Sequence, residues 1–214
     1  MKRIILIHTV RPMYLTFEER VRKALKSEVR IDNILDTCFA NNMDKNNNRN
    51  RLLATVKCAE MANPDVIAVI CSTLSLYIKE IEPFASVPLI GIDDRLGDEA
   101  FKYGDRIMVL ASAQSPVEPV TRLLQRAAAR LGRNNAVVDS IFDERGFYAM
   151  AKGDMETHDK VMIEVGKTIK GYDAIVLAQG SAEGIAEPLM AATGLPVATA
   201  PKLCIQNIQE IIDD

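Results

Sequence analysis

Residues 64–75 read PDVIAVICSTLS, and the run from Val66 to Ile70, which follows the Asn63-Pro64 breaker, holds no polar residue. A short aliphatic and β-branched run of this kind is a strand covered on both faces, the pattern of a parallel sheet flanked by helices. Cys71, Ser72 and Thr73 fall at its carboxyl end, ahead of a helix expected from about Leu74 to Glu82. Open α/β sheets take ligands at the carboxyl ends of their strands, where the unpaired amides of the next helix favour an anion. A thiol placed there can act on a carboxylate, and a helix start lowers a thiol's pKa, so Cys71 is expected to ionise readily.

Residues 172–181, YDAIVLAQGS, repeat the design: an Asp, an aliphatic strand, small polar residues and a helix expected from about Gly184 to Thr193. Asp65 and Asp173 are 108 residues apart, and so are Val87-Pro88 and Leu195-Pro196, which open the next strand in each case. By that offset Cys71 falls on Gln179. The first strand, Arg3 to Thr9, has its echo in Arg106 to Ser112, 103 residues on. The chain is therefore expected to be two similar halves built from the same αβ units.

At 214 residues the chain can bury a full core, as one domain or two small ones. A net charge of −3 with 26% charged residues gives no basic excess for nucleic acid, and no run is long enough to span a membrane. The apolar run near the start is only Ile4 to Ile7 and ends at His8, which reads as a first strand rather than a signal peptide. Cysteines 38, 58, 71 and 204 form no CxxC pair, so a reducing cytoplasm is the expected compartment. No spacing resembles a metal site, and neither a GxGxxG nor a P-loop string is present.

In order, a helix is expected over Leu15 to Ser27 with Thr16 as its cap, a strand over Val29 to Leu35, and no regular structure from Asp36 to Asn48. Helix from Arg49 to Met61 precedes the Cys71 strand, and Asp93-Asp94, after the strand of VPLIGID, read as charges at a helix start. The second half repeats this with a helix to about Leu131, a strand from Asn135 to Ile141, an irregular region to Lys152 and a helix capped by Asp154. His158, in that helix's first turn, reads as exposed, with a place in a ligand cleft as the alternative. The last helix, from Lys202, is expected to pack on the first half. With no Gly/Ser linker between them, the halves are expected to pack together with their strand ends facing a shared cleft.

The strings IHT (7–9), VICSTLS (69–75), VPLIGID (87–93), RIMVLAS (106–112), GDMETHD (153–159) and VLAQGSAE (176–183), in this order, resemble the aspartate/glutamate/hydantoin racemase superfamily over nearly the whole chain. The resemblance implies an α/β fold of two pseudo-symmetric lobes, residues 1–95 plus 203–214 and residues 96–202, each a parallel β-sheet flanked by helices, with the active site between them. It also implies a cytoplasmic, cofactor-independent isomerase acting at the carbon next to a carboxylate. In the family's two-base racemases a cysteine from each lobe flanks the α-carbon. Cys71 matches the first, and Gln179, a primary amide that is neither acid nor base, stands at the second. Ser72 and Thr73 match the polar pair that binds a substrate carboxylate, Gly180 and Ser181 match the corresponding turn, and Ser112 matches the hydroxyl that ends the second lobe's first strand. His8 and Thr9 stand where members carry polar groups pointing into the cleft, and His8 or His158 would have to supply a second base.

The expected partner is a small carboxylate substrate, with neither nucleic acid nor membrane, and association into a homo-oligomer is left open. Two other readings stay alongside racemisation. One thiol without its twin suits decarboxylation or cis–trans isomerisation of a small dicarboxylate. A cleft with Gln179 in place of a proton-transferring group also suits a small-acid binding protein without catalysis.

Overall fold

The structure, a computed structural model, describes residues 1–41 and 45–213. The chain divides into two compact units, Met1–Asp94 with Pro201–Asp214 and, separately, Arg95–Ala200.

In the first unit the aliphatic run after Lys2 forms β1 (Lys2–His8), followed by α1 (Arg11–Ala24), β2 (Val29–Leu35), α2 (Cys38–Asn41), α3 (Lys45–Glu60), β3 (Val66–Ile70), α4 (Ser75–Ile81) and β4 (Leu89–Gly91). The four strands are parallel in the order β2-β1-β3-β4. All five residues of β3 and the last five of β1 are buried, which fits central strands covered on both faces. Edge strand β2 carries Arg30, Asp32 and Asn33 instead. On one face Ile5, Ile7, Ile67 and Val69 pack with Leu52 and Val56 of α3 and Ile78 and Ile81 of α4. Each such aliphatic side chain removed from water is worth about 1.5–3 kcal/mol before ordering costs.

In the second unit come α5 (Leu96–Ala100), β5 (Arg106–Ala111), α6 (Val117–Arg130), β6 (Val137–Phe142), α7 (Glu144–Ala151), α8 (Met155–Lys167), β7 (Ala174–Leu177), α9 (Ala186–Thr193) and β8 (Val197–Ala198). Its strands are again parallel and again ordered with the second outermost, β6-β5-β7-β8. Met108, Leu110, Ile175 and Leu177 pack with Met162 and Val165 of α8 and Leu189 of α9. The last helix, α10 (Ala200–Asp213), buries Cys204, Ile205, Ile208 and Ile212 at helical spacing. It lies along α1 in the first unit, where Ile205 and Gln209 share a groove with Arg20 and Ala24.

The repeat extends to individual hydrogen bonds. Asp65 accepts from the Arg3 backbone N–H at 2.7 Å, and Asp173 accepts from that of Arg106 at 2.8 Å. The two arginines also reach back alike, Arg3 to the Ala62 carbonyl and Arg106 to that of Gly171. Gly104, at φ 151°, leaves room for Asp173: a Cβ there would stand 2.3 Å from its carboxylate.

Three stretches differ from the sequence expectation. Helix α1 starts at Arg11, not Leu15, with a proline in its first turn and Val10 at the cap position, so Thr16 is no cap. The polar stretch after Asp36 is largely helical, with residues 42–44 lying outside the described residues. Asp36 accepts from the Cys38 N–H, Phe39 is buried against the core, and the stripe of Leu52, Val56 and Ala59 carries α3 back through the asparagines. Burial here outweighs the few tenths of a kcal/mol each Asn costs in a helix. The region before Lys152 is helix α7, because Asp143 accepts from the Arg145 N–H and caps it.

Candidate functional site

Both sheets present the same pair of strand ends. In the first unit β1 and β3 are neighbours in register, His8 beside Ile70, so the next residues, Thr9 and Cys71, emerge side by side. The Thr9 hydroxyl interacts with the Cys71 sulfur, as does the backbone N–H of Thr73 in the turn Ser72–Leu74 that leads into α4, while the Leu74 N–H donates to the Cys71 carbonyl at 3.1 Å. Cys71 is half-buried against the aliphatic core cluster. Burial pushes its pKa up, and Asp93 adds to that; the Thr9 hydroxyl and the two amides act the other way without overcoming it. The expectation of a readily ionised thiol is therefore corrected: Cys71 keeps its proton at rest.

Ser72 is buried, and its hydroxyl donates to Asp93 Oδ1 at 3.1 Å, while that of Ser75 donates to Asp93 Oδ2 at 2.8 Å. Asp93 is 0% exposed, so it is no surface charge at a helix start. Burial raises its pKa from 3.8 to about 6, against the two serine hydroxyls and with the help of Asp94. The Ser72 proton is committed to Asp93, which leaves the amides of the turn and the half-buried Thr73 to meet an anion.

His8 lies on the other side of the strand from Thr9, as alternate residues must. Its ring is fully buried edge-on to Tyr14 at 5.7 Å and Phe17 at 6.4 Å, with Nε2 3.0 Å from Asn33 Oδ1. Asn33 donates in turn to Glu18, which fixes its oxygen toward His8 and makes Nε2 the protonated nitrogen. Burial lowers the His8 pKa, opposed by Asn33 and Glu18, so the ring is neutral with Nδ1 bare.

In the second unit β5 and β7 bring Ser112 and Gln179 together in the same way. The Ser112 N–H and hydroxyl donate to Gln179 Oε1 at 2.7 and 3.1 Å. Because the amide oxygen takes both, the NH₂ end of Gln179 is left to donate elsewhere. Gly180 and Ser181, half-buried, begin the turn that leads into α9. The surface reading of His158 is also corrected. It is 0% exposed, because it stands one turn before the buried Met162 on the inner face of α8. Among the described residues, no group of three or more His, Cys, Asp or Glu could hold a metal ion, and no helix is long and apolar enough to cross a membrane.

No curated protein matches the sequence. Solved structures do match the fold. An aspartate racemase homologue from Pyrococcus horikoshii superimposes with a TM-score of 0.71 at 16% identity, covering 100% of both chains. Allantoin racemase from Klebsiella pneumoniae gives 0.69 at 15%, covering 100% of this chain and 88% of its own. Glutamate racemase from Aquifex pyrophilus gives 0.69 at 20%, covering 98% and 83%. The profile of the Asp/Glu/Hydantoin racemase family matches residues 17–207, from the middle of α1 to the middle of α10 and through both strand-end turns. A duplicated four-stranded parallel sheet that ends in Cys71 on one side and Gln179 on the other thus belongs to the Asp/Glu/hydantoin racemase family.

Proposed function

We propose that the protein is a cofactor-independent racemase or epimerase that moves the α-proton of a small carboxylic acid, with Cys71 as one acid/base group. The observation that supports this is the position of Cys71 at the end of β3, beside Thr9 at the end of β1 and at the start of the turn into α4. When the α-C–H bond breaks, its electron pair moves into the carboxylate as an enediolate, and fixed N–H donors stabilise that charge. In the turn after β3, the Thr73 amide and hydroxyl are the donors we assign to it. In the resting state Cys71 holds a proton to give to one face of the carbanion; in the reverse direction its thiolate takes that proton back. Ser112 orients Gln179, Ser72 holds Asp93, and His8 is a neutral ring behind Thr9. The four free cysteines fit a cytoplasmic setting.

The test is α-proton exchange in heavy water with both enantiomers of aspartate and glutamate. Deuterium uptake that disappears in Cys71→Ala supports the reading. Uptake unchanged in Cys71→Ala, or no uptake from any member of the panel, overturns it. A second reading rests on Cys71 being matched, in the repeat, by an amide at Gln179 rather than by a second thiol: Cys71 would then quench a carbanion from one side, as in decarboxylation of a malonate-like diacid. A single-enantiomer product from such a diacid, without interconversion of enantiomers, favours it.

A further inference from the structure

The outermost strand of a sheet carries a row of backbone N–H and C=O groups that its neighbour does not take. Such a row invites another strand unless it is short, charged or covered. Strands β4 and β8 are short, at 3 and 2 residues. Strand β2 is longer but carries Arg30 and Asp32, paired at 3.0 Å. Strand β6, Val137–Phe142, is different: its 6 residues are mostly β-branched or aromatic, and its one charge, Asp139, accepts from the Tyr172 hydroxyl at 2.6 Å.

The register of β6 on β5 fixes which groups face outward. The N–H of Val137 donates to the Asp105 carbonyl and that of Asp143 to the Ala111 carbonyl, so the odd-numbered residues of β6 bond to β5. Successive residues direct their backbone groups to opposite sides of a strand, and Val138, Ser140 and Phe142 therefore turn theirs away from the sheet. Among the described residues no hydrogen bond reaches those groups. Ser140 is exposed, and Phe142 is 40% exposed, a large apolar side chain at an open edge.

The strand is complementary to itself. Two copies laid antiparallel about a two-fold axis at Ser140 pair Ser140 with Ser140 and Val138 with Phe142, each pair exchanging both N–H···O bonds. Val138 then covers the exposed ring of Phe142, a favourable cross-strand contact. Asp139 falls opposite Ile141 and Asp143 opposite Val137, so no like charges meet. An axis at Asp139 would set that carboxylate against its own copy, and an axis at Ile141 would set Asp139 against Asp143. Charge thus selects one register. The opposite edge of the same sheet is the 2-residue β8, so the pairing closes at two copies instead of propagating.

We propose that β6 is a homodimer interface, at which two copies of the chain join antiparallel about Ser140 and continue one sheet into the other. This is independent of the racemase reading, since none of these residues belongs to the strand-end turns.

Sedimentation velocity on the full chain at tens of micromolar should give twice the protomer mass of 23.7 kDa, and a monomer overturns the proposal. Ser140→Lys sets two ammonium groups against each other at the axis and leaves every bond to β5 in place. It should raise the dimer's dissociation constant about tenfold or more, and an unchanged constant places the interface elsewhere. Should that variant fold poorly, a crosslink reads the same contact. Ser140→Cys should form a disulfide-linked dimer under mild oxidation, because Cα atoms so paired stand about 5.5 Å apart. Phe142→Cys should not, because its two copies would lie on the order of 14 Å apart along the strands. The unmutated protein, with its exposed Cys38 and Cys58, supplies the background. No crosslink above that background at residue 140, or a stronger one at residue 142, overturns the proposal.

Discussion

The turn after β3 and the turn after β7 occupy matching places in duplicated sheets, yet they are built for different work. In both, a hydroxyl at the end of the neighbouring strand, Thr9 or Ser112, grips the first residue of the turn. The first turn then places a protonated sulfur at Cys71 and a buried carboxylate, Asp93, behind Ser72 and Ser75. The second places an amide whose oxygen is already engaged, and Gly180 where the first has Ser72. By the repeat, the counterpart of Asp93 is Pro201, so the second turn holds no such acid. Duplication preserved the frame that aims the residue and left the chemistry of that residue free to diverge.

That contrast is broken most directly at its two leading residues. Cys71→Ala should lower α-proton exchange by about 10³-fold, the scale of losing a positioned acid/base group. Gln179→Ala should act mainly on KM, since it removes donors rather than a proton carrier. Steady-state kinetics on both variants decides; equal losses of kcat would mean that the two turns do the same work.

Asp93 gives the next largest effect. An acid whose pKa is higher folded than unfolded takes up a proton on folding, so its contribution to stability is present at low pH and lost as pH rises. Here the window runs from the ordinary 3.8 to about 6, with a flat line above it. The stability of the unmutated protein relative to Asp93→Asn should therefore fall by on the order of 3 kcal/mol between pH 4 and pH 7. Urea unfolding of both at several pH values measures the difference, and a constant difference would make Asp93 an ordinary acid.

Where the units are alike, the responses should be alike. Asp65→Ala and Asp173→Ala each remove a carboxylate from a strand-opening N–H, and each should cost about 1 kcal/mol. Thermal melts showing one loss several times the other would break the equivalence of the frames. The smallest effect is expected at Thr9→Val, which takes one hydrogen bond from the sulfur and should raise the Cys71 pKa further. The pH dependence of iodoacetamide alkylation reads this, with an unshifted or lowered profile as the contrary result.

Much of the frame was legible because its signals are local. The runs of Val66 to Ile70 and Ala174 to Leu177, the repeated Asp before each, and the residue at each strand end all sit within a dozen positions of one another. The rest depends on partners far along the chain. Asp93 looks like a helix-start charge until the fold brings Ser72 to it from 21 residues away. His158 looks exposed until α7 closes over it, and α7 itself was hidden because its start depends on one capping carboxylate at Asp143 rather than on a run of apolar residues. The thiol's raised pKa is hidden for a related reason: proximity to a helix start is visible in sequence, whereas the desolvation that outweighs it is not.

Helix α10 also bears on how the chain is made. The first unit lacks a piece until Pro201–Asp214 joins it, whereas the second is one unbroken segment from Arg95 to Ala200. On a ribosome the later half can therefore close first. The earlier half waits with the surface that will take Ile205, Ile208 and Ile212 still uncovered. During that interval the first unit is incomplete, and the segment Pro201–Asp214 acts as its latch.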